Sequence, residues 1–150
     1  MPDPAPAHRA RIVMAFDFGL RRIGVAVGDT ISRSAKPQRP LFCAASGPDW
    51  DAITRAVRGI GPDLLLVGDP YNDDGTPSTV AKAANRFAAE LGQRSGLPVQ
   101  RMDERYSSFE AADQLRTQRA SGERPRRLQP GDLDSAAAAV ILDSWLQLQP

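Results

Sequence analysis

The sequence has 150 residues, enough to bury one core and too few for two domains of ordinary size. Hydrophobic residues make up 41% and charged residues 25%, which excludes wholesale disorder, and a formal charge of +1 excludes a global field that would draw in nucleic acid, so any such binding must come from a local patch. One cysteine, Cys43, excludes an internal disulfide and suits a reducing compartment, and one histidine, His8, nearly excludes a site built on histidine.

Residues 1–10, "MPDPAPAHRA", read as a disordered Pro/Ala-rich tail, followed by a single domain over 11–150. No run approaches the roughly 18 apolar residues of a membrane span, and a cytoplasmic location is expected. "RIVMAFDF" predicts a strand apolar on both faces, with Ile12, Met14 and Phe16 on one and Val13 and Ala15 on the other, the pattern of a central strand. "RIGVAVGD" predicts a second strand, joined to the first through Gly19–Arg22 as a hairpin. A weaker third strand runs through "AKPQRPLFC", where two prolines argue for an edge.

"DWDAITRAVRGIG" spaces Trp50, Ile53, Val57 and Ile60 as a helix with a glycine stop. "DLLLVGDP" predicts a buried strand, and "TPSTVAKAANRFAAELGQRSG" a helix with Val80, Ala84, Phe87 and Leu91 inward, opened by Thr76 before Pro77. "LPVQRMDE" predicts the last strand, "SSFEAADQLRTQRAS" a helix, "GERPRRLQPGD" a loop, and "DLDSAAAAVILDSWLQL" the closing helix. The expected fold class is α/β: a mixed five-stranded sheet, an antiparallel meander continued by parallel strands, flanked by helices.

The informative carboxylates are those placed where an unpaired acid is costly. Asp17 ends the most buried strand on the Val13 and Ala15 face. At about 100° per residue, Asp134 shares a side of the last helix with Ala137, Ala138, Ile141, Trp145 and Leu148, and the positive helix end favours its charge; Asp132 and Asp143 fall on the opposite, solvent side. In "DERYSS", either Asp103 or Glu104 points to the same place, and Asp69 in "VGDP" ends another strand as a metal ligand or a cap. Three carboxylates without cysteine or histidine form a hard oxygen site for Mg²⁺ or Mn²⁺, which suits in-line displacement at phosphorus in a phosphodiester.

Cations fit this chemistry. Of the 19 basic residues only Lys36 and Lys82 are lysines, and guanidinium is the better fork for phosphate oxygens. Arg21 or Arg22, on the hairpin after Asp17, and Arg105 are candidate phosphate ligands. Arg116, Arg119, Arg124, Arg126 and Arg127 form a second basic set, opposed by Glu123 alone. Among the few aromatics, Tyr106 is the one candidate for base stacking.

The blocks "FDFGLRRIGVAVGD", "AKP", "LLLVGDPYNDDGT", "DERYSS" and "LDSAAAAVILDSWL", in this order, resemble the YqgF (RuvX) family, bacterial proteins of ribonuclease H-like fold. The resemblance spans Ile12 to Leu146 and implies a ribonuclease H-like nuclease domain. It also implies an acidic catalytic and metal-binding triad of Asp17, Glu104 and Asp134, which selects Glu104 over Asp103. The family's naming implies a metal-dependent hydrolase of phosphodiester bonds acting on the 5′ end of precursor 16S ribosomal RNA in ribosome biogenesis. The alternatives are a Holliday junction resolvase acting on branched DNA, or a non-catalytic RNA- or ribosome-binding assembly factor. Arg21, Arg22, Arg105, Arg126 and Arg127 are the substrate-binding residues expected beside the triad. Two departures stand out: "LQPGDLDS" carries Pro130 and Asp132 where relatives often have lysines, and Asp69 stands where they are usually apolar.

Overall fold

A computed structural model describes residues 11–69, 80–103 and 131–149. The strands are β1 (Ile12–Phe18), β2 (Arg22–Asp29), β3 (Ala35–Pro37), β4 (Leu41–Ala44), β5 (Gly47–Pro48), β6 (Leu64–Asp69) and β7 (Val99–Asp103). The helices are α1 (Trp50–Ile60), α2 (Ala81–Ser95) and α3 (Asp132–Gln147). The sheet order is β5-β4-β2-β1-β6-β7, with β3 also paired to β2. β1 runs antiparallel to β2 and parallel to β6, and β6 parallel to β7, so the meander and the parallel half meet at β1 as expected.

Among the described residues the sheet has seven strands rather than the five expected. The single strand expected over "AKPQRPLFC" is two, β3 and β4, each pairing a different stretch of β2. Pro37 and Pro40 carry no amide proton, so the ladder breaks between them. The two-residue β5 then pairs back onto β4.

Alternation along β1 sets the two layers. Met14, Phe16 and Phe18 pack with Ile23, Val25, Leu65 and Val67 against Ile53 and Val57 of α1 and Ala84, Phe87 and Leu91 of α2. Val13 and Ala15 pack with Ala26, Leu64 and Leu66 against Ile141, Leu142, Trp145 and Leu146 of α3. Burial of the order of 25 cal/mol per Å² on both faces makes β1 and β6 the centre of the molecule. α1 starts where the Asp49 carboxylate accepts from the Ala52 amide and stops at Gly61, whose left-handed φ of 67° suits glycine.

α3 differs from the expected amphipathic helix. It is buried around almost its whole circumference from Ser135 to Leu142, so it has no single inward side. Asp132, expected in solvent, is only 8% exposed at the start of the helix, whereas Asp143 is exposed as expected. Leu148, expected inward, is 72% exposed, because the helix ends at Gln147 and its spacing no longer applies. The tail over 1–10, the Thr76 cap, the helix expected after Ser107 and the basic loop before Gly131 lie outside the described residues.

Candidate active site

The site is assembled on a glycine. Asp17 of β1 pairs across the ladder with Gly24 of β2. A methyl group built on Gly24 would stand 1.9 Å from the carbonyl oxygen of Asp134, so the first turn of α3 lies directly on the strand beside Asp17. Glycine inside a strand marks such a close backbone approach. The next residue fixes the contact: the buried Ser135 hydroxyl accepts from the Val25 amide at 3.1 Å, in the gap between the stretches of β2 that pair with β4 and with β3.

Asp17 lies on the Val13 and Ala15 face by strand alternation, which is the face α3 covers. Asp134 sits in the first turn of α3, where the helix dipole favours an anion. Arg22, two residues before Gly24 and on the same face, donates from Nε to Asp134 Oδ2 at 2.9 Å across 112 residues of sequence. Both partners are partly exposed, the arginine 43% and the aspartate 32%, so the pair is reachable from solvent. Its net contribution to stability is accordingly small, about 1 kcal/mol or less.

The other carboxylates at this end of the sheet face the opposite way. Asp69 and Asp103 are neighbours in the β6–β7 register. Arg101 forms an ion pair with Asp69 and donates from Nη1 to Asn85 Oδ1 of α2 at 2.9 Å, which puts this group on the α2 side. Burial pushes the Asp69 carboxyl above its ordinary value, against the lowering effect of Arg101, and the nearby Asp103 charge raises it further. Met102, between them, packs on the α3 side. Asp69 and Asp103 are thus separated by the sheet from Asp17 and Asp134.

The RuvX family, described as Holliday junction resolvase, matches residues 11–148. The chain belongs to the RuvX family. It is 44% identical over 146 residues to "Putative pre-16S rRNA nuclease" of Xanthomonas oryzae pv. oryzae (strain PXO99A), covering 97% of this chain and 94% of that protein. It is 44% identical over 147 residues to the protein of the same name from Nitrosococcus oceani, covering 97% and 92%. Among solved structures it is similar to T. thermophilus RuvC in complex with Holliday junction substrate, at TM-score 0.51 and 15% identity over 87% of this chain and 91% of that one. It is also similar to the yeast mitochondrial Holliday junction resolvase Ydc2, at TM-score 0.53 and 10% identity over 90% and 77%. At these identities the structural likeness shows the fold, which is ribonuclease H-like.

Within this RuvX-family chain the structure brings together Asp17, Asp134 and Arg22 of the expected site residues. Arg21 is exposed at the hairpin, its carbonyl accepting from the Cys43 amide. Glu104, Arg105, Arg126 and Arg127 lie outside the described residues, as do Tyr106 and the remaining basic loop. Among the described residues no three carboxylates, histidines or cysteines cluster as a metal site. The donor set nevertheless fits a hard divalent cation, since Asp17 and Asp134 offer oxygen only and the Cys43 thiol packs with the other layer. The sequence reading missed Gly24 and Ser135. An isolated glycine inside "RIGVAVGD" was the available signal for the first, and nothing in the sequence announces the second.

Proposed function

We propose that this chain is a divalent-metal-dependent nuclease that hydrolyses phosphodiester bonds in precursor 16S ribosomal RNA. The observation that carries the reading is the joining of Asp17 and Asp134, from opposite ends of the chain, over Gly24 with Arg22 beside them in reach of solvent. The relatives at 44% identity bear the name of that activity.

Asp17, Asp134 and Glu104 would hold the cation, Mg²⁺ or Mn²⁺. Assigning Glu104 rests on the family resemblance and is supported by Asp103 facing α2, away from Asp17 and Asp134. When bound, such an ion supplies Lewis acidity at phosphorus chemistry: a more acidic water and a stabilised leaving oxygen. The chain's own residues then orient the substrate. Arg22 is a two-pronged donor already poised beside the acids, suited to a non-bridging oxygen of the scissile phosphate. Arg21, Arg105, Arg126 and Arg127 would take flanking phosphates and give sequence-independent, salt-dependent affinity. The net reaction adds water across one P–O ester bond, leaving a phosphomonoester and a hydroxyl.

The deciding experiment incubates an end-labelled precursor rRNA fragment and a four-way DNA junction with the protein in Mg²⁺, Mn²⁺ or EDTA, beside folded Asp17→Asn. Metal-dependent cutting of the RNA, lost in the variant, supports the reading. Cutting of the junction alone replaces its substrate, and binding without cutting by either protein replaces it with an assembly factor.

A further inference from the structure

The rim of the site carries an aromatic side chain that no role has yet absorbed. Along β4, Leu41 and Cys43 pack into the α1 and α2 layer, so Phe42 between them points to the face that bears Asp17 and α3. There it is 54% exposed. A single exposed apolar residue is ordinary on any surface. The place of this one is not, because its cross-strand partner is Arg22, the residue bonded to Asp134.

Directly opposed residues on one face hold their Cβ atoms about 4.5–5.5 Å apart, so the Phe42 ring and the Arg22 stem are neighbours. Asp17 lies one strand further, opposite Gly24 and two residues along β2 from Arg22. With strands about 4.8 Å apart and a rise of about 3.4 Å per residue, Phe42 stands roughly 12 Å from Asp17. That is within reach of a nucleotide next to the one whose phosphate is cut.

The charge along this edge is complementary to a phosphate backbone. From 19 to 46 the chain carries Arg21, Arg22, Arg33, Lys36 and Arg39 against one acid, Asp29. Asp29 sits at the far end of β2, where it accepts from the Ser32 amide and hydroxyl, and Arg33 lies with it there, its amide donating to the Asp29 carbonyl, so Arg21, Arg22 and Arg39 are the cations near Phe42. Arg39 is exposed on the segment leading into β4, whereas Lys36, opposite Val27, takes the α1 and α2 face. Proline at 40 packs against Gly131 just before α3, so this edge is joined to the helix that bears Asp134.

Resting on the nuclease reading above, we propose that Phe42 is a stacking platform for an unpaired nucleobase beside the scissile phosphate, with Arg39 taking the backbone that leads away from it. A base inside a duplex has neighbours on both of its faces. Only a single-stranded flank can therefore lay one on the ring, and Phe42 makes the site select for it. Base–aromatic stacking tolerates any sequence, as suits a platform with no hydrogen-bonding groups.

The test uses the full chain and RNA oligonucleotides with 2-aminopurine at successive positions, single-stranded or in a duplex, without metal for binding and with Mg²⁺ or Mn²⁺ for cleavage. Phe42→Ala and Phe42→Leu should weaken single-strand binding about 5- to 100-fold. They should also remove the quenching of one particular 2-aminopurine, with duplex binding unchanged. Phe42→Trp should restore both. Equal loss on single strand and duplex, or unchanged binding and quenching in Phe42→Ala, overturns the platform while cleavage by the wild type leaves the nuclease standing. Loss of quenching in Phe42→Ala, with no cleavage of any substrate by the wild type, keeps the platform and overturns the nuclease.

Discussion

Two acid–arginine groups stand at the same end of one sheet, on opposite faces, and only one has the makings of an active site. On the α3 face, Arg22 reaches Asp134 beside Asp17, across 112 residues and in partial contact with solvent. On the α2 face, Arg101 is shared between Asp69 and Asn85 and ties β6 and β7 to the helix above them. Residue types and their place at strand ends are the same in both. The difference lies in what surrounds them: one set is gathered around a backbone contact that only glycine permits, the other is spent on joining neighbouring elements.

The largest effect should separate the faces by activity. Asp17→Asn removes a metal ligand on the proposed reading, and since even partners of ligands are worth 10- to 100-fold, cleavage should fall more than about 100-fold. Asp69→Asn should leave it within about twofold, because the sheet separates that carboxylate from the site. Initial rates on the same RNA check both. Equal losses would mean that the two faces act as one site.

Next is the glycine contact. Gly24→Ala forces a methyl group into the Asp134 backbone, and overpacking of this kind costs about 3 kcal/mol where neither backbone can yield. Gly59→Ala, in α1 with open space around it, should instead stabilise by about 0.5 kcal/mol through helix propensity. Urea midpoints measure both. An unchanged midpoint for Gly24→Ala would show that α3 does not rest on β2 as described.

Arg22→Gln should lower cleavage about tenfold, the scale of one charge-assisted hydrogen bond, and should tighten Mn²⁺ binding, because the guanidinium and a cation compete for Asp134. A manganese titration reads this independently of catalysis. Weaker binding would make Arg22 a support for the metal site rather than a competitor.

The contrast between the faces was half legible in the sequence. Apolar residues on both faces of β1 identified a central strand, and parity alone put Asp17 on the face of Val13 and Ala15, where α3 packs. Helical spacing brought Asp134 to the same place. The same spacing placed Asp143 correctly in solvent but misplaced Asp132, which is buried in the first turn of α3. Alternation left Asp103 and Glu104 open; the Arg101 bond to Asn85, a contact between elements that local pattern does not encode, puts Asp103 on the α2 side, and Glu104 lies outside the described residues. Phe42 was passed over for a related reason: in "LFCA" it reads as one more apolar strand residue, and only its pairing with Arg22 shows which face it takes.

The smallest effect concerns what the α2-face group does for the fold. Burial raises the Asp69 carboxyl above its ordinary 3.8 despite the arginine beside it, so folding favours the protonated form. The stability this contributes is fully present below 3.8 and is lost as pH rises through the raised value. Asp69→Asn stays neutral throughout and lacks that slope. The stability of the wild type relative to the variant should therefore decline between about pH 3 and pH 6, by about a few tenths of a kcal/mol for so exposed a pair. Urea denaturation of both proteins across that range measures the difference. A difference that grows with pH would mean that the Arg101 pairing outweighs burial, and that the charged carboxylate is what holds β6 and β7 to α2.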